Sequence, residues 1–293
     1  MTSKLKLVFD AKAELGEGPC WDSDNELLYW TDILGKCLHI HNPASGDNRT
    51  VPVGLMVGSF ALGRSGRIVL AAENGFYTLD PATGKKELLC APAEEKEGNR
   101  FNDGKCDPVG RFWAGSMPMA GAEPSGSLYC LETDRTLTRK LTGIGCSNGL
   151  AWSPDCRTMY YIDTPTRQVA AFRYDKETGD IDDGKVACVV PESDGLPDGM
   201  TIDEEGCLWI AHWGGGKVTR WNPSTGSKLD EIVVPAAQVT SCAFGGTRMN
   251  ELYVTTARAF QSEETLRRQP HAGGLFKIEL NVTGAASSRF LGI

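Results

Sequence analysis

Histidine is scarce in this chain, long apolar runs are missing, and the basic residues never gather. The four histidines, His39, His41, His212 and His271, are too dispersed for a metal-binding or catalytic imidazole cluster by spacing. No H-E-x-x-H, G-x-S-x-G, phosphate loop or dinucleotide fingerprint occurs, which removes the zincin, serine hydrolase and nucleotide-binding readings. The opening MTSKLKLVFDAKAELGEG lacks the apolar core of a secretory signal, and no segment reaches transmembrane length, so a cytoplasmic protein without a membrane partner is expected. The formal net charge is -8 and lysine and arginine are scattered, which argues against nucleic acid. The ten cysteines include no C-x-x-C pair, and are expected to be reduced and mostly buried. A long amphipathic helix is absent too.

What the chain does contain is a repeat. NGLAWSPDCRTMYYID from Asn148 shares its form with EGPCWDSDNELLYWTD from Glu17, DGMTIDEEGCLWIAH from Asp198 and NDGKCDPVGRFWAGS from Asn102. Weaker copies begin at Gly58 and Thr240. Each unit is a short apolar segment, a polar turn and a β-rich apolar segment. A third strand-like run follows, ending in turns such as PASG, PATG and PSTG, where proline presets one φ and glycine permits a positive one. Six units spaced by 41 to 50 residues predict an all-β, six-bladed β-propeller of four-stranded antiparallel blades. It is read as a single domain spanning residues 1–293, with the N-terminal LKLVFDAKA closing the last blade. Two stacked β-sandwiches fit less well, because no linker or composition shift divides the repeats.

In a propeller the innermost strands line a central channel, so equivalent repeat positions converge in space. Here they are Glu17, Gly58, Asn102, Asn148, Asp198 and Thr240. Four of the six carry a carboxylate or amide oxygen, which suits a hard or borderline divalent cation. The competing reading is turn chemistry, since Asn148-Gly149 and Asp198-Gly199 are common turn formers. His39 and His41 fall on one face of a strand and are expected to be exposed. His212 sits beside Trp213 and three glycines, where a structural role is preferred over substrate contact. The Trp and Tyr residues of the second strands, at 29, 30, 113, 160, 161 and 209, are read as packing between blades.

The segments GEGPCW, NRFNDGKCDPVGRFWAGSM, SNGLAWSPD, PDGMTIDEEGCLWIAHW, TSCAFGG and LRRQPHAGGLFKI resemble the SMP-30/gluconolactonase family, which includes regucalcin and bacterial sugar lactonases. The resemblance runs from about residue 13 to 280 in the family's order. It implies a six-bladed propeller with one divalent metal ion (calcium, zinc, manganese, magnesium or iron(II)) and a metal-dependent sugar lactonase activity, hydrolysing an aldonolactone to the aldonic acid. It also implies Glu17, Asn148 and Asp198 as metal ligands, and Arg100 and Asn102 as substrate-binding residues. Lactone hydrolysis further needs a general base, and Asp198 is the expected catalytic residue. The family's substrate-contacting acid falls at Ala120, with Glu123 nearby, which leaves sugar preference open. Two other functions fit the same residues: a non-catalytic calcium-binding regulatory propeller, and a broader metal-dependent esterase or phosphotriesterase. The expected partner is a small-molecule sugar lactone, acted on by a monomer or weak dimer.

Overall fold

A computed structural model describes residues 4–121 and 123–293. It holds six antiparallel sheets of four strands each. The first strands of the sheets are Gly16–Asp22, Val57–Leu62, Asn99–Cys106, Ser147–Trp152, Leu196–Ile202 and Val239–Gly245. Each touches the next and the sixth touches the first, so they form a closed ring around a channel: a six-bladed β-propeller. Lys6–Phe9, at the start of the chain, pairs antiparallel with Leu275–Glu279 and completes the sixth sheet. The one α-helix among the described residues is the six-residue Glu263–Arg268.

The blades pack through their second strands, which are apolar and almost wholly buried. Trp30, Trp113 and Trp209 are each 1% exposed or less. The repeat also explains how two of these indoles are satisfied. Asp107 accepts hydrogen bonds from its own blade's Trp113 Nε1 (3.1 Å) and from Tyr174 Oη of the next blade (2.7 Å). Asp203 likewise accepts from Trp209 Nε1 (2.9 Å) and Arg220 Nε (2.8 Å). Orphaning a buried donor of this kind costs about 1–3 kcal/mol, so the turn aspartates are part of the core.

Each first strand breaks register with its neighbour at the same place. The irregularities fall between Glu17 and Cys20, Val57 and Ser59, Phe101 and Gly104, Asn148 and Leu150, Pro197 and Met200, and Val239 and Ser241. All six lie at the aligned repeat positions. A bulge adds a residue, bends the strand and re-aims a side chain. Asn148-Gly149 and Asp198-Gly199 are therefore bulges inside strands, and the turn reading of these pairs is corrected. Their glycines serve close approach: a Cβ on Gly149 would meet Met200 Cβ at 2.6 Å, and one on Gly199 would meet Ser241 Oγ at 2.2 Å. At Gly58 a Cβ would meet the Phe101 carbonyl at 2.3 Å, which is why this ring position carries no side chain.

The tail beyond Glu279 was not foreseen. It runs across the end of the propeller where the first strands finish. Gly284 N donates to Met249 O (2.8 Å), Phe290 N to Leu62 O (2.9 Å) and Leu291 N to Gly110 O (3.1 Å). Arg289 pairs with Asp22 and Asp24, and Phe290 is 0% exposed. The tail is a strap that ties together blades far apart in sequence.

Two smaller expectations are also corrected. His39 and His41 are buried, because third strands lie between neighbouring blades. His39 stacks on Trp30 with ring centroids 4.1 Å apart, and His41 Nδ1 bonds Asn48 Oδ1 at 2.9 Å. All ten cysteines are free, but only five are buried.

Candidate active site at the channel mouth

Glu17, Asn102, Asn148 and Asp198 meet where the first strands begin, and all four are buried. Asn102 is the hub of their hydrogen bonds. Its Nδ2 donates to Ser147 O (2.8 Å) and to Asn148 Oδ1 (3.2 Å), and its Oδ1 accepts from Arg100 Nη1 (2.8 Å). Arg100 also donates to Phe101 O (2.9 Å), so the guanidinium lies along its own strand. Thr240, the sixth ring residue, turns to the backbone and donates to Gly16 O, beside Glu17.

Sequence reasoning missed the residue that orients Asn148. Asn148 Nδ2 donates to Thr164 Oγ1 (2.8 Å), and Thr164 in turn donates to Pro197 O (2.8 Å), next to Asp198. This relay fixes which end of the amide is nitrogen. Oδ1 is left on the side of Asn102 and the channel. Thr164 opens a one-turn 3₁₀ helix, Thr164–Thr166, and no repeat position marks it out.

The two carboxylates are in an electrostatically costly state. Burial pushes the Glu17 carboxyl up to about 8, and the nearby charge of Asp103 adds to this, against the pull of Gly18 N–H and Arg100. Burial also drives Asp198 well above the usual carboxylate range, reinforced by Glu17 and Asp103. Glu17 accepts one hydrogen bond, from Gly18 N (3.1 Å), and neither acid makes a salt bridge among the described residues. Buried acids without a cationic partner are expensive unless they neutralise or bind a metal. Two carboxylates and an oriented amide oxygen fit a divalent cation with oxygen preference. Among the described residues no group of three or more His, Cys, Asp or Glu side chains is placed to hold a metal ion. A cation here would complete its shell from the amide and water.

Asp103, left unassigned by the sequence, lies close enough for its charge to reach both ligand carboxylates. Its Oδ1 accepts from its own Gly104 N (2.7 Å). Cys146 is a second neighbour: Asn148 Nδ2 is 3.6 Å from its sulfur, and Met117 Sδ is also 3.6 Å away. Burial and Asp198 push this thiol up to about 12, so it stays protonated and unreactive. At the same end of the propeller, Trp213, paired with Leu196, meets Phe260 edge to face at 6.2 Å, and Phe260 is 86% exposed.

Other candidates fall outside the mouth. His212 is 0% exposed, with Nε2 bonded to Thr219 Oγ1 at 2.5 Å, as befits a core residue. Ala120 and Glu123 are both exposed beyond the end of the strand Phe112–Pro118. A different acid reaches that strand. Glu95 accepts from Ser116 Oγ (2.8 Å) and from Asn99 Nδ2. Ser116 stands opposite Phe101, the last paired residue before the register break that carries Asn102.

Comparison with known proteins finds relatives over nearly the whole chain. Residues 15–258 match the family model described as the SMP-30/Gluconolactonase/LRE-like region. A Bacillus subtilis (strain 168) protein named "Putative sugar lactone lactonase YvrE" is 41% identical over 286 residues, 98% of each chain. Regucalcin of Xenopus laevis is 38% identical over 295 residues, 99% of each. Among solved structures, a luciferin-regenerating enzyme superposes with a TM-score of 0.91 at 32% identity, covering 98% of this chain and 99% of that one. A calcium-binding regucalcin of Agrobacterium tumefaciens gives a TM-score of 0.93 at 28% identity, covering 99% and 97%.

Proposed function

This chain belongs to the SMP-30/gluconolactonase/LRE-like family, and from that premise we propose that it is a metal-dependent lactonase, hydrolysing an aldonolactone to its aldonic acid. One observation carries the reading: two buried, unpaired carboxylates converge with an amide oxygen that Thr164 holds in place. Glu17, Asn148 and Asp198 would hold one divalent cation among calcium, zinc, manganese, magnesium and iron(II). Such an ion, when bound, polarises a carbonyl, stabilises a developing oxyanion and lowers the pKa of water.

The remaining work falls to the side chains. Asp198 takes the proton of the attacking water as its oxygen bonds to the lactone carbonyl carbon. It then returns that proton to the ring oxygen as the C–O bond breaks, leaving a hydroxy acid. Arg100 donates to the hydroxyls of the sugar ring and Asn102 Oδ1 accepts from one of them, which orients the ring and converts loose binding into a reactive pose. Among the described residues Arg100 makes no salt bridge, although the charges of Glu17 and Asp198 reach it, and its bonds are to a carbonyl and an amide. A regulatory calcium-binding propeller would not need these two residues beside the ligands.

A panel of sugar lactones, aryl esters and phosphotriesters, assayed with each metal in turn, tests the proposal. Metal-dependent turnover favouring sugar lactones is expected. Preference for an aryl ester or phosphotriester would replace the substrate class, and no turnover at all with bound calcium would favour the regulatory reading.

A further inference from the structure

The mouth end of the propeller has two unlike sides. Arg100 and Asn102 stand on the third blade and Asn148 on the fourth, which makes that side polar. The sixth blade lies across the ring from the third. On that side Leu15, Ile33 and Ala257 pack together, and Met56 and Trp213 close on them from the second and fifth blades. Leu15 bridges Ala257 two residues before Glu17, and Trp213 pairs with Leu196 two residues before Asp198. At the rise of a strand, this apolar arc therefore stands about 7 Å along the chain from the two acids, on their solvent side.

Phe260 extends the arc outward from Trp213, which it meets edge to face at 6.2 Å. Two features of this residue are costly in the free chain. Its ring is 86% exposed, and its φ of 60° lies in the left-handed region, an outlier for a bulky side chain. The backbone just before it is pinned to the entry of the first blade. Arg258 N donates to Glu14 O (3.1 Å), and Ala259 N donates to the same carbonyl (2.8 Å). The turn is thus imposed by its surroundings, and glycine would adopt it more readily while exposing no apolar surface. What phenylalanine adds at this position is the ring itself. Strain of this kind is characteristic of ligand clamps.

We propose that Phe260 and Trp213 bind an apolar arm of the substrate, so that the preferred lactone is amphiphilic. Its ring is held by Arg100 and Asn102, and an alkyl or aryl substituent lies along the two aromatic side chains. The inference rests on the lactonase reading and narrows it. A bare aldonolactone carries hydroxyls around its ring and has no apolar arm to cover Phe260.

γ-Valerolactone and γ-nonalactone test this, because they share ring and leaving oxygen and differ by four methylenes. Steady-state hydrolysis by the full chain with divalent metal should give a KM about tenfold lower for γ-nonalactone, the effect of burying about half of that added length. Phe260→Gly should bring the two KM values to within about threefold of each other, and Phe260→Leu, which keeps apolar surface, should retain most of the difference. Urea unfolding of Phe260→Gly should have a midpoint equal to or above that of the wild type, since glycine relieves the backbone. Equal KM values in the wild type, a difference that survives Phe260→Gly, or a lowered midpoint in that variant would each overturn the proposal while leaving the lactonase reading in place. Absence of turnover with both probes and with every sugar lactone would overturn the two together.

Discussion

Replacing Thr164 with valine separates positioning from coordination. The substitution nearly preserves shape but removes the acceptor for Asn148 Nδ2 and the donor to Pro197 O, two contacts of 2.8 Å each. Leaving a buried amide N–H and a buried carbonyl unpaired costs about 1–3 kcal/mol apiece, so a loss of about 2–6 kcal/mol in stability is expected. The second effect is on the cation. Without the hydroxyl, the Asn148 amide loses the 2.8 Å contact that fixes its nitrogen and keeps the longer one, 3.2 Å, from Asn102 Nδ2 to its oxygen. Loss of an outer partner of a metal ligand typically weakens metal affinity about 10- to 100-fold, or about 1.4–2.7 kcal/mol. Manganese titration of metal-stripped protein, by calorimetry well below the unfolding temperature, measures this term apart from stability. Thr164→Ser keeps the hydroxyl and should restore most of the affinity. Undiminished affinity in Thr164→Val would refute the claim that the relay orients Asn148.

Three other outcomes are expected. Arg100→Ala and Asn102→Ala should raise KM for a sugar lactone more than they lower kcat; a pure kcat loss in steady-state assays would place them in the chemical step instead. Phe290→Ala, which empties a fully buried site under the strap, should cost about 3–5 kcal/mol in urea unfolding. An unchanged midpoint would mean that the strap is not part of the fold's stability. Burial lowers the His212 imidazole to about 4 from its ordinary 6.5, so between these values the unfolded chain binds the extra proton. The contribution is intact above pH 6.5 and is lost as the pH falls, up to about 3 kcal/mol near pH 4. His212→Asn should flatten that part of the stability profile; an identical fall in both proteins would refute the assignment. His39 and His41 shift in the same direction, so the difference between the two proteins is the informative quantity.

The six blades were legible because each repeats an apolar first strand, a turn and an aromatic second strand at nearly constant spacing. The ring of Glu17, Asn102, Asn148 and Asp198 was legible for the same reason, since aligned positions converge whatever residues fill them. Features that belong to a single blade were not. Thr164 acts through a short 3₁₀ turn found at no other ring position, and Lys105 bonds a carbonyl 95 residues away. The strap lies outside the repeat, and its partners are backbone groups that any sequence supplies. The histidines of the first blade were misjudged for a related reason: alternation reports which face a residue shares, but in a propeller both faces of a third strand meet neighbouring blades.

The central claim is that Glu17, Asn148 and Asp198 hold a cation that lactone hydrolysis requires. Its most direct test is aldonolactone turnover by one protein sample before chelation, after exhaustive chelation and after return of a single divalent metal, alongside Asp198→Ala treated identically. The account predicts activity that vanishes on chelation, returns with metal in the wild type, and never appears in Asp198→Ala. Turnover that persists without metal, or an Asp198→Ala protein that retains most of its metal-dependent rate, would contradict it.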